Sequence, residues 1–264
     1  MGVIIIVKNL DRPGLSNSPI IANISGDDGG GANIIGGGDF DFIEGDDQDN
    51  YLKGTTNTEM IFGYGGNDTL IGVGGFDVLY GDEGNDTLEA GDDDDYLYGG
   101  EGNDILRGGG GDDSLTDETG DNLLEGNDGD DSLVSGSGND KLKGGNGNDI
   151  LQGGDGINQL FGDAGDDTLW AIGSDNLTGG GGIDTFIFGA QLNHFQVLDF
   201  DLENDILLFY TSQYGIEDVN QLLQYITNTD QRIDGVTVEF GSDASIELVG
   251  INLNDITIDM ISFW

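Results

Sequence analysis

From Gly36 to Trp170 an aliphatic side chain returns at every ninth residue. Counted from the unit Gly63 to Ile71, position eight reads Ile43, Leu52, Ile61, Leu70, Leu79, Leu88, Leu97, Leu106, Leu115, Leu124, Leu133, Leu142, Leu151, Leu160 and Leu169. Position six is polar throughout: Asp41, Asn50, Glu59, then Asp68 onward, with Asn122 and Asn158 as later exceptions. Glycine recurs at positions one, two and four, as in Gly99-Gly100-Glu101-Gly102-Asn103-Asp104-Ile105-Leu106-Arg107 and Gly144-Gly145-Asn146-Gly147-Asn148-Asp149-Ile150-Leu151-Gln152. A period of nine suits neither a helix nor a long strand. It predicts a coil in which a glycine turn, a very short strand and an acid at a fixed place recur. The unbroken aliphatic column predicts a stacked, buried ladder.

The frame slips after Trp170. Ala171 to Thr178 is one residue short, with Asp175 and Leu177 in the key places, and Gly179 to Ile187 is a last full unit with Asp184 and Phe186. At the other end Asp27 to Ile35 is a degenerate unit with Ala32 in the acid's place. The expected organisation is a cap strand within 1–26, the repeat coil over 27–187 and a β-rich cap over 188–264. In the cap, Leu222, Leu223 and Ile226 after Gly215 have the spacing of one short helix. Gly235 to Phe240 and Ser245 to Val249 alternate as strands around a Gly241-Ser242-Asp243 turn. Val3 to Val7 is apolar but short, with no preceding basic residue and no small-residue cleavage site. It is expected to be a strand rather than a cleaved secretory signal. No apolar run reaches the roughly 20 residues of a membrane-spanning helix.

Charge sharpens the picture. Seven Lys and Arg stand against 52 Asp and Glu in 264 residues, a formal charge of -45. Self-repulsion on that scale opposes any compact state. Nucleic acid is excluded as a partner, since phosphate binding needs basic patches. Bound cations would neutralise the acids; a disordered acidic tail is at odds with the strict apolar period. There is no cysteine and one histidine, so disulfides are excluded and zinc, which takes Cys or His, is disfavoured. Calcium, which takes six to eight oxygens in flexible geometry, suits this composition.

These phrases resemble the repeats-in-toxin (RTX) family of hemolysin-type calcium-binding repeats, over roughly residues 27 to 187. Asp184-Thr185-Phe186-Ile187-Phe188, Val197-Leu198-Asp199-Phe200 and Asp205-Ile206-Leu207-Leu208 are similar to the family's C-terminal cap, and Asp259-Met260-Ile261-Ser262-Phe263-Trp264 to its uncleaved type I secretion signals. The resemblance implies an all-β parallel β-roll in which two units make one turn. Calcium would sit between turns on the same edge, held by position-six carboxylates and turn carbonyls. Like positions then stack every 18 residues. One edge would carry Asp77, Asp95, Asp113, Asp131, Asp149, Asp167 and Asp184, and the other Asp68, Asp86, Asp104, Asn122, Asp140, Asn158 and Asp175. The twelve Asp of these rows are the expected metal ligands. Gaps built on Asn122, Asn158, Asn50, Glu59 or Ala32 should be weak. Carboxylates stacked about 4.8 Å apart repel by ~1 kcal/mol in water and ~3 kcal/mol at an effective dielectric of 20. Without cations the rows should prevent folding.

Other chemistry finds little support. His194 lies outside the repeats, and neither a zinc-protease His-Glu-x-x-His nor a Gly-x-Ser-x-Gly elbow is present. No catalytic residues are expected. The outward positions seven and nine place Phe62, Tyr80, Tyr96 and Tyr98 on one sheet, and Lys53, Arg107, Lys141 and Lys143 on the other. Aromatic residues favour strands in any case. An exposed aromatic ladder could also contact a partner. The expected function is a secreted calcium-binding repeat protein that folds outside the cell; the alternative is a module binding surface glycans, another protein or a second copy of itself.

Overall fold

The computed structural model describes residues 3–5, 22–24, 33–35, 41–188, 194–209, 226–232, 235–240, 245–252, 255 and 261–263. The chain divides into two units, Met1–Asn127 and Asp128–Trp264. Both are parallel β-solenoids built from very short strands.

In the first unit, Asp41–Glu44, Glu59–Gly65, Val78–Glu83, Tyr96–Glu101 and Ser114–Thr116 pair in parallel in that order. Tyr51–Lys53, Thr69–Gly74, Thr87–Asp92 and Ile105–Gly110 form a second parallel sheet. Successive strands of the chain therefore alternate between sheets, and partners lie 18 residues apart, as with Ile61 beside Leu79 and Leu79 beside Leu97. Two preliminary pairs are antiparallel: Val3–Ile5 with Ala22–Ile24, and Asn33–Ile35 with Asp41–Glu44. The strand Asn33–Ile35 thus does not follow the parallel winding, which starts at Asp41–Glu44. Ala32 lies outside the described residues.

In the second unit one sheet runs Ser132–Val134, Ile150–Gln152, Thr168–Ala171, Thr185–Phe188, Ile206–Phe209 and Ile261–Phe263, all parallel. The other runs Lys141–Asn146, Gln159–Ala164, Asn176–Gly181, His194–Val197 and Ser245–Val249 in parallel. It then turns antiparallel through Gly235–Phe240 to Ile226–Arg232. The short unit from Ala171 shifts the register by one, so Leu160 pairs with Leu177. Of the helix face expected from Leu222, Leu223 and Ile226, the two leucines lie outside the described residues, and Ile226 opens a strand instead, paired in the antiparallel end of the sheet.

The nine-residue phrase explains the winding. Position eight points inward, and every leucine from Leu70 to Leu169 in the column is fully buried. Each such burial contributes roughly 1.5–3 kcal/mol. Positions seven and nine point out, giving the alternating burial of Thr69–Gly74. Positions two and four turn the chain with positive φ, as at Gly100 (116°) and Gly102 (140°). Val73 adopts the same conformation at 103°, where a β-branched residue is strained. Phe186 sits in the column between Leu169 and Leu207, and beside it Phe188 packs against Phe195 and Phe209, each at 5.3 Å between ring centres.

Candidate metal centre

Position six ends the glycine turn and begins the strand, so its side chain folds back over its own turn. There it meets the turn stacked next to it. The N–H of Asp68 donates to Oδ1 of Asp86 at 2.6 Å, that of Asp86 to Asp104 at 2.7 Å, and that of Asp104 to Asn122 at 2.8 Å. The other row of the first unit repeats this from Glu59 to Asp77, Asp95 and Asp113. In the second unit the rows run Asp131, Asp149, Asp167, Asp184 and Asp205, and Asp140, Asn158 and Asp175. All these side chains are buried.

One carboxylate oxygen is thereby used, and the other is not. Oδ2 of Asp68, Asp77, Asp86, Asp95, Asp104, Asp149 and Asp167 is buried and has no hydrogen-bond partner. The oxygens of Asp68, Asp77, Asp86 and Asp167 are aimed at the position-one glycine of their own turn, where the carbonyl of the next turn also arrives. A Cβ on Gly81 would lie 2.6 Å from the Gly99 carbonyl and 2.4 Å from Asp86 Oδ2, and beside Gly72 the Ala90 carbonyl and Asp77 Oδ2 converge in the same way. The absent Cβ leaves an oxygen-lined cradle in each of these gaps. Asp104, Asp113, Asp149 and Asp184 also turn Oδ2 toward the position-one glycine of their own turn, at Gly99, Gly108, Gly144 and Gly179.

Burial is the largest cause that raises these carboxyls above the usual range. Asp77 is pushed up to about 8 by burial, against the hydrogen bond it accepts from the Glu59 N–H and with the Glu59 carboxylate raising it further. Asp86, Asp95 and Asp149 rise to about 7. Asp68, Asp167 and Asp184 rise to about 6. Asp104, Asp175 and Asp205 are raised as well. Such a site takes either protons or cations. Among the described residues no three His, Cys, Asp or Glu side chains converge, so a cation in these gaps would complete its shell with backbone carbonyls. An all-oxygen set of carboxylate and carbonyl fits calcium.

The flanking turns differ. Asn50 Oδ1 accepts the N–H of Asp46, and Glu59 Oε2 that of Thr55. Asp175 Oδ2 accepts the Ile172 N–H, and Asp205 Oδ2 accepts the Asp201 N–H. Asn158 turns its amide onto the Gly154 carbonyl and Asp175 Oδ1. In these turns the protein's own N–H groups stand where a cation would.

A second ladder escaped the reading of the sequence. Position five is Asn or Asp in most units, and its oxygen accepts the N–H of the next stacked turn: Asp49 from Asn67, Asn67 from Asn85, Asn85 from Asn103. Asp130, Asn148 and Asp166 continue this in the second unit. The signal was present, as Asn-Asp before the aliphatic position. Asp199 also emerges, gripping the N–H groups of Gly179 and Gly180 at 2.9 and 2.8 Å.

On the outer face Phe62, Tyr80 and Tyr98 stack in register, with ring centres 5.1 and 4.8 Å apart. Tyr96 belongs to a different column and meets Phe76 edge-on at 5.4 Å. Tyr80 and Tyr98 line a cavity of about 870 Å³ with Tyr64, Asp82, Glu83 and Glu101. On the opposite sheet Arg107 bridges Glu89 and Glu125. His194 Nδ1 lies 2.9 Å from Ser245 Oγ.

Three comparisons bear on this geometry. The RTX calcium-binding nonapeptide repeat (4 copies) matches five stretches, 62–96, 71–106, 80–115, 107–142 and 143–171. No curated protein matches the chain. Among solved structures, extracellular lipase LipA from Serratia marcescens is similar at 20% identity and a TM-score of 0.25, covering 80% of this chain. The match spans 42% of the lipase. Residues 62–171 are thus a run of RTX calcium-binding nonapeptide repeats.

Proposed function

We propose that this chain is a secreted calcium-binding protein whose β-roll folds on taking up several calcium ions outside the cell. One observation carries the reading: within ordered rows of buried carboxylates, Asp68, Asp77, Asp86 and Asp167 each keep one oxygen that lacks a donor and faces a backbone carbonyl. RTX repeats bind calcium, are typically non-catalytic and occur typically in secreted proteins, and no catalytic role is proposed for any residue. The ligands proposed are Asp68, Asp77, Asp86, Asp95, Asp104, Asp113, Asp131, Asp140, Asp149, Asp167 and Asp184. Asp175, whose second oxygen is already taken by Ile172, would be the poorest of the expected set. The roll would be flanked by caps over 1–26 and 188–264, and the cap would carry a type I secretion signal at its end. Among the described residues no helix is long and apolar enough to cross a membrane.

The test is a calcium titration followed by circular dichroism. Chelated protein at neutral pH should lack strand signal, and millimolar calcium should restore it. A cooperative, fully folded chelated protein would defeat the proposal.

The stacked rings favour a second reading, a contact surface for a glycan, another protein or a second copy. The acidic groups around Tyr80 and Tyr98 favour a neutral or cationic partner. Tyr80→Ser with Tyr98→Ser should weaken glycan binding or self-association while calcium-induced folding persists. Unchanged sedimentation and glycan binding in the double variant would make the ladder structural only.

A further inference from the structure

The turn Asp117–Asn122 departs from the repeat twice. Position one holds Asp117 where Gly63, Gly81 and Gly99 stand in the same row, and position six holds Asn122 in place of Asp. Both side chains are buried, at 2% and 3% exposure. By sequence alone, Asn122 marks a weakened site.

The geometry shows charge relocated rather than lost. Asn122 Oδ1 keeps the row's structural bond, accepting the Asp104 N–H at 2.8 Å. Its amide turns the other way and donates to Asp117 Oδ1 at 2.7 Å and to the Gly120 carbonyl at 3.2 Å. Asp117 Oδ1 also takes the Thr119 N–H at 3.2 Å. With that oxygen held twice, Asp117 Oδ2 is directed at Gly99. It crowds the point where a Cβ on Gly99 would stand, and Asp104 Oδ2 lies 2.7 Å from that same point. In the regular gaps of this row the point is shared by one carboxylate oxygen and one backbone carbonyl, Asp68 with Gly81 and Asp86 with Gly99. Here it is shared by two carboxylates. Asp104 is 1% exposed, and its Oδ2 meets an acceptor and no donor. Such a pair needs a cation or a shared proton.

We infer that Asp117 is a calcium ligand. With Asp104 it forms a two-carboxylate site between the turns 99–104 and 117–122, and Asn122 is the positioning residue that holds it there. The inference rests on the calcium reading above. Calcium affinity rises with the number of charged ligands, so this gap binds more tightly than the one-carboxylate gaps at Asp68 and Asp86. A carboxylate at 122 would remove the donor that orients Asp117 and add a third acceptor.

The test uses the full chain with calcium chloride. Titration calorimetry gives affinities, equilibrium dialysis gives ions bound per chain, and circular dichroism at saturating calcium reports the fold. Asp117→Asn is expected to weaken the tightest step at least tenfold while keeping strand signal. Asp86→Asn should remove an ion and spare that step. Asp117→Gly combined with Asn122→Asp restores the regular pattern; it should fold and bind at this gap with the affinity of its neighbours. If Asp117→Asn matches the wild type in ion number and tightest affinity while Asp86→Asn loses an ion, Asp117 is no ligand and only this inference falls. Should Asp117→Asn fail to fold, the double variant decides: retention of the wild-type tightest step overturns the inference, and its loss supports it. A wild type that takes up no calcium overturns both readings.

Discussion

Asp86 and Glu59 occupy the same position of their turns and are equally buried, at 1% and 0% exposure, yet their second oxygens meet different surroundings. Glu59 reaches one methylene further and takes the Thr55 N–H at 3.2 Å. Asp86 stops short of its own turn's N–H groups and leaves Oδ2 facing the Gly99 carbonyl without a donor. The same contrast recurs in the second unit, where Asp149 and Asp167 are open and Asp205 is closed by Asp201 N–H. Open turns store an unmet demand for positive charge, while closed turns at the flanks meet it from the backbone. A buried acceptor without a partner costs about 1–3 kcal/mol, more when charged, so open turns favour the uptake of a proton or a cation.

The largest expected effect breaks the contrast directly. Replacing Asp77 and Asp95 together by Asn should lower the calcium bound per chain and reduce calcium-dependent strand signal. Glu59→Gln, in a closed turn, should leave the ion number unchanged. Equal losses in both variants, measured by equilibrium dialysis, would erase the distinction.

Acid should act as a partial substitute for calcium. The folded-state carboxyls of Asp77, Asp86, Asp95, Asp149, Asp68, Asp167 and Asp184 lie at about 6 to 8, above the unfolded value near 3.9. A raised folded pKa contributes stability that is complete below the unfolded pKa and is lost as pH rises through the folded one. Chelated protein should therefore hold more strand at pH 4–5 than at pH 8. Calcium should remove the difference and release protons on binding. A chelated protein more stable at pH 8 than at pH 5 would contradict the open-turn picture.

A closed contact should respond the same with and without calcium. Asp199→Ala removes the acceptor for Gly179 and Gly180 N–H. Because Asp199 is exposed, the cost should be modest, about 1–2 kcal/mol, in calcium-saturated and acid-folded protein alike. Urea denaturation in both states checks this.

The smallest effect separates backbone from ligand. Val73 holds φ 103° at the position where Gly91 and Gly109 hold 129° and 127°. Val73→Gly should relieve strain and stabilise the calcium-loaded fold by about 1 kcal/mol, without changing the number of ions bound. A lower melting temperature for the variant would show that valine packing outweighs the strain.

Much of this was legible in advance because a solenoid repeats its physics with its sequence. Leu79 and Leu97 share a phase, so they share a register and a buried face. Position-six acids share a row for the same reason. The position-five ladder from Asp49 to Asn103 was written in the same phase, but an Asx oxygen that bonds a backbone N–H 18 residues away leaves no charge or apolar signature to read. The separation of Tyr96 from the Phe62, Tyr80 and Tyr98 column also needed the register of individual strands, since positions seven and nine both point outward.

The sequence by itself determined the period, the buried aliphatic column and the oxygen-rich chemistry, because each depends only on residue type at a fixed phase; the alternation of sheets followed from the resemblance to the RTX repeats. Only the tertiary structure decided which carboxylates are open. That depends on side-chain reach and on donors brought by other turns. It is why Asp68 is left without a donor where Glu59 is not, why Asp205 extends a row with a 21-residue spacing, and why Asn122 orients Asp117 instead of marking a lost site.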